Sequence, residues 1–479
     1  MIFSEKSKFL FLVFGRAIQA ATSLFALHLT TNLLGQEELG KVYYILSIQA
    51  FFALFLINPV GQYFNRKTNY WFQNKVVFSA YVKQSKYILY ITFFSIVFLY
   101  FLRDIWNISL ENRTIALISL LIASQSINQT IIPLFNMLNY RGYFVVLTIL
   151  TSVLSVILSL IFVKTINNTA FSWLLGIVAG NFILLVISSV MFRKKIIGGS
   201  TESDNNLEFK WNKKDILRFS LPISVATLGM WFVNSGYRIL VEKHYGLEYL
   251  SYIGVGIAIA SQIFALAESL ITQYFLPILY KNVEGAKSDK RVCHINSYLN
   301  KVIPIYFSLG IFFTFSIKAF LPFLVGKQYY GVIEVAIYGI WIEFSRVTTN
   351  ALSIICQIEN NTKLFPIPFF KGSAFTIVGV SFIKIGVDHF TNLLLISAAI
   401  VLVSMFFLMK KIISFNFPIR NIICVLFATI PSVLFFRLID IEANFSVDHF
   451  FYCGLGGIIY LSGLSFFWWY FIYSAEQSY

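Results

Sequence analysis

Charged and amide side chains stand at helical spacing inside long apolar stretches of this sequence. Glu343, Arg346 and Asn350 are three and four residues apart, so a helix would place them on one face. A charged group within a lipid bilayer costs roughly 2.5–3.5 kcal/mol and normally faces a partner or water. This stripe therefore predicts a local Glu343–Arg346 pair, which either joins helices as a structural salt bridge or lines a wet cavity.

Four other apolar stretches carry polar stripes of the same kind. A structural role stays open for each of them, because an arginine can snorkel to the headgroups and amides can hydrogen-bond a neighbouring helix. The residues are Arg16 and Gln19, then Gln125, Asn128 and Gln129, then Asn234 and Arg238, and finally Glu268.

The residue types indicate what these stripes would bind. Arg16, Arg238 and Arg346 outnumber the carboxylates Glu268 and Glu343, and this cationic excess fits an anionic ligand, because the arginine fork matches phosphate geometry. Amides both donate and accept hydrogen bonds, which suits sugar hydroxyls. The two carboxylates are candidates to carry a coupling ion, and Glu268 could instead neutralise Arg238. The simplest arrangement turns all five stripes toward one central aqueous cavity.

The elements that must position these residues are apolar helices. Hydrophobic residues make up 58% of the 479-residue chain and charged residues only 12%, too few to cover a surface that faces water. A spanning helix needs about 20 apolar residues. The sequence therefore predicts an all-α integral membrane protein with fourteen spans, at 9–33, 42–63, 87–102, 115–139, 144–163, 170–191, 219–240, 250–279, 302–322, 332–358, 364–385, 391–409, 421–437 and 450–473.

A polar, glycine-containing linker divides these spans. We expect a six-helix bundle at 1–196, a cytoplasmic linker at 197–218, a second six-helix bundle at 219–411 and two additional helices at 412–479. Lys and Arg concentrate in alternate loops, which places both termini in the cytoplasm by the positive-inside rule. The net charge of +15 then reflects contact with an anionic lipid leaflet, and no nucleic-acid partner is expected.

Patterns for metal, nucleotide or cofactor binding are absent from the sequence. The four cysteines and five histidines show no ligand spacing, and no phosphate-binding glycine loop occurs. We therefore expect no cofactor and no enzymatic activity. The alternative from another class is an integral membrane glycosyltransferase or polysaccharide polymerase, which would be expected to place catalytic groups in a sizeable outer loop. The largest outer loops here have about a dozen residues each.

Short motifs along the whole chain resemble one transporter family. They are Arg16 with LLGQEELG at 33–40 and the tyrosines at 43 and 44, FSLP at 219–222, GMW at 229–231, FLPILY at 275–280 and LVGKQYY at 324–330. In these features the chain is similar to the Wzx-type polysaccharide flippases of the multidrug/oligosaccharidyl-lipid/polysaccharide exporter superfamily. Many of these relatives carry an acidic residue near position 238, where this chain has arginine.

The resemblance implies two six-helix bundles arranged in a V, with a cavity open alternately to each side. It implies a flippase for undecaprenyl-pyrophosphate-linked oligosaccharide units (O-antigen, capsule or exopolysaccharide) in the bacterial inner membrane. Arg16, Arg238 and Arg346 would hold the pyrophosphate. A polysaccharide polymerase and a chain-length regulator would be partners. Within the same superfamily, a multidrug/cation antiporter and a lipid II flippase remain alternatives.

Overall fold

Helices account for the regular structure of the chain. The computed structural model describes residues 5–106, 111–197, 212–284, 286–359, 361–382, 389–439 and 447–467, and these form helices and no strands. The all-α prediction is therefore confirmed for the described residues.

Each predicted span overlaps a helix. The first six helices are α1 (Glu5–Leu33), α2 (Gln36–Gln73), α3 (Val77–Trp106), α4 (Asn112–Met137), α5 (Arg141–Thr165) and α6 (Ala170–Ile197). The other eight are α7 (213–245), α8 (247–283), α9 (Ser288–Leu324), α10 (Ile333–Ile358), α11 (366–382), α12 (Phe390–Ile412), α13 (Ile419–Leu438) and α14 (Val447–Phe467). Most of the predicted linker, at 198–211, lies outside the described residues.

Local irregularities shape several of these helices. A π-helical turn at Phe52–Ile57 interrupts α2 just before Pro59, whose missing N–H cannot donate to the preceding turn. The break between α7 and α8 falls at Gly246, where φ is +87° and ψ is 173°. Only glycine adopts that backbone conformation at little cost, so this residue ends one helix and begins the next.

By composition, the chain is a multi-pass membrane protein. Within the described residues, ten helical stretches are long and apolar enough to cross a bilayer, with the continuous stretch Lys213–Val283 counted as one. Helices α1, α10 and α11 are not among them; the polar stripe of α10 lowers its mean hydropathy. Large apolar side chains are exposed along the other helices, as contact with lipid requires, for example Tyr90, Phe93, Phe427 and Phe450. The number of spans stays a prediction.

The described residues fall into two compact units. Unit 1 lies within Met1–Ala26 and Leu33–Leu250, and unit 2 lies within Leu27–Asn32 and Ser251–Tyr479. Helix α7 belongs to unit 1 because it packs on α2, where Ser220 Oγ donates to the Pro59 carbonyl and Trp231 Nε1 donates to the Ser47 carbonyl. The predicted domain boundaries at 197–218 and 411 stay a prediction.

The core of unit 1 is built around α4, α5 and α6. Leu121, Ile122 and Ile131 of α4 are fully buried. Helices α5 and α6 approach closely, and the Ser159 hydroxyl donates to the Trp173 carbonyl at 2.7 Å. The two helices can come this close because small residues meet at the contact, where Gly176 of α6 faces the Ser159 backbone. Small residues let helices pack tightly in lipid, where van der Waals contact replaces the hydrophobic driving force.

The core of unit 2 is built around α9 and α10. Helix α10 packs against α9 and α12, and its residues 351–356 are all buried. The two C-terminal helices attach to α9 through an aromatic cluster in which the Phe312 and Tyr460 rings stack at 4.3 Å. The hydroxyl groups of Ser308 and Tyr460 lie 2.9 Å apart and share a hydrogen bond. Helices α13 and α14 are thus packed into unit 2.

We expect Gly176→Ala to destabilise the protein by about 1–3 kcal/mol, the usual cost of overpacking. A Cβ atom at this position would lie 2.2 Å from Ser159 Cα, a backbone atom that cannot move aside. The control is Gly142→Ala in α5, because a Cβ atom there meets nothing within 4 Å. Chemical unfolding in mixed micelles compares the two variants; equal stability would show that α5 and α6 do not pack this closely.

Candidate functional site

A four-residue polar cluster forms inside unit 2, between α8 and α10. Arg346 Nε donates to Glu343 Oε2 at 2.6 Å, and Arg346 Nη1 donates to Glu268 Oε2 at 2.9 Å. Asn350 Nδ2 donates to the other oxygen of Glu268, Oε1, at 2.8 Å. The predicted Glu343–Arg346 pair is therefore confirmed. Glu343 and Arg346 are three residues apart on one helix, so the helix geometry places their side chains next to each other.

In this cluster, the guanidinium group of Arg346 forms ion pairs with two carboxylates. The side chains of Arg346, Glu268 and Glu343 are 24%, 21% and 8% exposed, respectively. With both carboxylates ionised the cluster would carry a net charge of −1 in the middle of an apolar helix bundle. Two of the nitrogens of Arg346 are already engaged, so binding of a phosphate group by Arg346 would compete with Glu268 and Glu343. Its role as a pyrophosphate ligand remains a prediction.

Tyrosines from α8 and α9 complete the surroundings of this cluster. The buried Tyr298 interacts electrostatically with Glu268, and the buried Tyr306 with Glu268 and Arg346. The Tyr280 hydroxyl donates to Gln357 Oε1 at 3.2 Å, so the α10 stripe extends to a second helix. Sequence reasoning missed these residues. Tyrosine is common in apolar helices, and only the eight-residue spacing of Tyr298 and Tyr306 on one face could have singled them out.

In unit 1, Arg16 is a half-buried cation on α1. Its Nη1 donates to Gln19 Oε1 at 2.8 Å, which is the one-turn contact that the sequence spacing allows. Its guanidinium carbon lies 5.6 Å from the ring centroid of Phe144 on α5. Among residues with described side chains, no carboxylate pairs with Arg16. Its charge is therefore stabilised by a neutral amide and a ring face.

Arg238 on α7 has a similar environment. Its guanidinium carbon lies 5.2 Å from the ring centroid of Tyr43 and 5.9 Å from that of Tyr237. Its Nε is buried and makes no hydrogen bond to any described residue. Asn234, one turn earlier, lies in the π-helical turn Phe232–Gly236 and is half-buried. Glu268, which the sequence had left as a possible partner of Arg238, is paired with Arg346 instead.

The amides predicted on α4 do not share one environment. Asn128 is buried and its Nδ2 donates to Asn181 Oδ1 of α6 at 3.2 Å, the hydrogen bond between helices that the structural alternative predicts. Gln125 is half-buried and Gln129 is exposed. Asn128 therefore joins two helices, whereas the binding of sugar by Gln125 and Gln129 remains a prediction.

His, Cys, Asp and Glu side chains do not gather into a metal-binding group in the part of the chain that the structure describes. No group of three or more His, Cys, Asp or Glu side chains there could hold a metal ion. Cys293, Cys356, Cys424 and Cys453 are all free thiols. The candidate residues divide between the units, with Arg16, Gln19, Gln125, Asn128, Gln129, Asn234 and Arg238 in unit 1 and Glu268, Glu343, Arg346 and Asn350 in unit 2.

Comparison with known proteins identifies the fold. No protein-family model matches the sequence, and neither does any curated protein sequence. Among solved structures, the chain is similar to the lipid II flippase MurJ in an inward closed conformation, with a TM-score of 0.66 and 16% identity over 96% of this chain and 98% of that one. It also resembles an inward-facing multidrug resistance MATE family transporter of the MOP superfamily (TM-score 0.55, 14% identity, 83% of this chain, 94% of that one).

A third similar structure is a MOP superfamily transporter from Pyrococcus furiosus, with a TM-score of 0.51 and 14% identity over 85% of this chain and 96% of that one. At these identities the similarity defines the fold alone. The chain therefore has the fold of the MOP superfamily transporters, and MurJ matches it over a larger share of its length than either of the other two.

Proposed function

We propose that this chain is a flippase that translocates an undecaprenyl-pyrophosphate-linked oligosaccharide unit across a bacterial inner membrane by alternating access. The observation that carries the proposal is the fold match with MurJ over nearly the whole of both chains. MurJ is a lipid II flippase. We therefore assign a lipid-linked cargo of that kind to this chain.

The extent of the matches favours a lipid-linked cargo over a soluble drug. The MATE transporter covers 83% of this chain and MurJ covers 96%. Helices α13 and α14 lie in the segment 412–479. These helices are packed into unit 2 through the aromatic cluster around Phe312 and Tyr460. They are an integral part of the structure, as expected if the additional helices serve transport of a long lipid.

The environments of two arginines favour a substrate with an anionic headgroup. Arg16 and Arg238 are half-buried in apolar helices, and no described carboxylate pairs with either. A guanidinium within the bilayer requires water or an anion nearby, and a pyrophosphate can accept its forked donors. Gln19 beside Arg16, and the accessible amides of α4, suit the sugar hydroxyls. An antiporter for organic cations would instead be expected to present unpaired carboxylates.

Deletion of the gene tests the proposal in cells. We expect lipid-linked units to accumulate on the cytoplasmic face and surface polymer to disappear, with both effects reversed by a plasmid copy. Normal polymer in a strain without a second flippase would contradict the proposal. Arrest of cell-wall growth would identify a lipid II flippase, and drug sensitivity alone would identify a multidrug/cation antiporter. Elongation of a lipid-linked glycan by the purified protein would identify a polymerase or glycosyltransferase.

The proposal includes the cellular setting expected from the sequence. Both termini lie in the cytoplasm, the surrounding lipids contact the exposed apolar side chains, and a polysaccharide polymerase with its chain-length regulator receives the translocated unit. Fusion of a reporter that is active only in the cytoplasm, at residue 479, tests the orientation. Activity of that reporter agrees with the positive-inside pattern, and inactivity in a functional fusion contradicts it.

A further inference from the structure

Helix α2 continues past the membrane-spanning part of unit 1 and carries basic side chains near its end. Its 38 residues extend about 57 Å at 1.5 Å per residue, whereas the hydrocarbon core of a bilayer is about 30 Å thick. The last part, Asn58–Gln73, is amphipathic, with Phe64 and Trp71 buried on one face. Arg66 and Lys67 are exposed, three and four residues beyond the predicted span. That distance, about 4–6 Å, places them at the depth of the lipid headgroups.

The beginning of α7 packs against this part of α2. The centroid of the Phe219 ring lies 5.7 Å from the centroid of the Tyr63 ring and 6.0 Å from the guanidinium carbon of Arg66. The exposed Arg218 directly precedes Phe219, at the start of the predicted span 219–240. Two neighbouring helices therefore each present a guanidinium group at headgroup depth.

Positive charge is in strong excess on this surface, which we call the basic platform. Residues 64–73 and 212–221 contain five basic side chains and one carboxylate, Asp215, a net charge of +4. Asp215 accepts a hydrogen bond from Asn212 Nδ2 at 2.7 Å. Within the described ranges, no carboxylate forms an ion pair with any of the five bases. The bases of the platform are Arg66, Lys67, Lys213, Lys214 and Arg218.

Apolar side chains continue the basic platform toward the hydrocarbon core. On α7, Lys214, Arg218, Leu221 and Val225 are spaced by four, three and four residues, so they share one helix face, and all four are exposed. The cations lie at the headgroup end of this face, and the aliphatic side chains follow them into the bilayer. On α2, the exposed ring of Tyr70 is of the amphipathic type that is enriched at membrane interfaces. A cation followed by an apolar track matches the phosphate and acyl chain of a phospholipid.

We propose that the basic platform is a discrete binding site for an anionic phospholipid of the cytoplasmic leaflet. The phosphate lies at Arg66 and Arg218, and an acyl chain lies along Leu221 and Val225. The net charge of the chain predicts only a diffuse attraction to that leaflet, shared by the basic groups of every cytoplasmic loop. The platform differs because guanidinium forks from two helices can donate to one phosphate, which also links α2 to α7. The site does not depend on which molecule the protein transports.

Native mass spectrometry of the full-length protein tests the site, with phosphatidylglycerol and phosphatidylcholine titrated separately. The wild-type protein should bind phosphatidylglycerol more tightly. Each basic residue near an anionic lipid contributes roughly a factor of five to affinity, so the Arg66→Ala, Arg218→Ala double variant should bind phosphatidylglycerol about 25-fold more weakly. Its affinity for phosphatidylcholine should not change. Equal affinity of the wild-type protein for the two phospholipids would overturn the proposal.

The matched control is the Lys410→Ala, Lys411→Ala double variant. Both lysines are exposed in the last turn of α12, and Lys410 Nζ lies 5.8 Å from the ring centroid of Phe406, as Arg66 lies over Phe219. This variant removes the same charge from one helix end and should bind phosphatidylglycerol like the wild type. Equal losses in the two double variants would overturn the proposal, because they would show a diffuse attraction.

A second variant keeps the test decisive if loss of Arg66 disturbs the packing of α2 on α7. Arg66→Lys with Arg218→Lys keeps the charge and the side-chain stem but removes both forks, so phosphatidylglycerol should bind several-fold more weakly. Unchanged affinity would overturn the assignment of the phosphate to the two guanidinium groups.

Undecaprenyl pyrophosphate is the competing occupant. If it bound more tightly than phosphatidylglycerol, with the same loss in the Arg66→Ala, Arg218→Ala variant, the phospholipid assignment would be overturned in favour of an entry site for the transported lipid. No transport is measured in these titrations, so a negative result would leave the flippase proposal standing.

Discussion

Arg346→Ala is expected to cost about 3–5 kcal/mol of stability, the usual effect of removing one partner from a buried ion pair. The substitution leaves Glu268 without its charged donor and Glu343 without its only hydrogen bond to a described residue. Because the loss comes from an uncompensated carboxylate, Arg346→Ala combined with Glu268→Gln should recover a large part of it. Chemical unfolding in mixed micelles measures both variants.

The matched control for this loss is Arg113→Ala. Arg113 is paired with Glu111 near the start of α4, but its side chain is 70% exposed. An exposed pair contributes little to stability because water screens it, so this variant should unfold like the wild type. If Arg346→Ala were as stable as Arg113→Ala, the ion pairs of Arg346 would contribute no more to stability than an exposed pair does.

Arg16→Ala and Arg238→Ala are each expected to reduce translocation of a pyrophosphate-linked glycan by about 10- to 100-fold. A hydrogen bond to a charged group contributes about 1.5–3 kcal/mol, and every 1.4 kcal/mol corresponds to a factor of ten. Lysine at either position should restore only part of the rate, since it keeps the charge but lacks the planar fork. Initial rates in proteoliposomes with equal protein content provide the comparison.

Two controls separate a ligand role from a structural one. Arg113→Ala should translocate at the wild-type rate, because this exposed side chain lies outside the proposed binding set. A neutral prenyl-linked glycan that lacks phosphate should be insensitive to Arg16→Ala and Arg238→Ala. Equal loss of transport for the phosphorylated and the neutral lipid would assign both arginines a structural role and remove them from the headgroup site.

Much of the fold follows from hydropathy, because a helix that spans a membrane must bury its backbone polar groups in its own hydrogen bonds. Every predicted span overlaps a helix in the described part of the chain for that reason. Contacts within one helix were equally readable, as Arg346 with Glu343 and Arg16 with Gln19 show. Both pairs are three residues apart, and the geometry of the α-helix alone brings them together.

Contacts between different helices could not be predicted from the sequence in the same way. A polar stripe gives the direction in which a side chain points on its own helix but not which helix it meets. Glu268 could therefore be matched with either Arg238 or Arg346, and the structure pairs it with Arg346. Asn128 likewise gave no sign that Asn181 is its partner, 53 residues away. Nor could the spacing show that Gln129, the next residue, is exposed.

Reconstitution tests the central claim most directly, namely that this chain moves a phosphorylated, lipid-linked glycan across a bilayer. Purified protein would be placed in liposomes whose inner leaflet carries a labelled undecaprenyl-pyrophosphate oligosaccharide, with a membrane-impermeant glycan-cleaving enzyme outside. Cleavage should be fast with the wild-type protein and slow with the Arg16→Ala, Arg238→Ala double variant. Cleavage no faster than in liposomes without protein would contradict it.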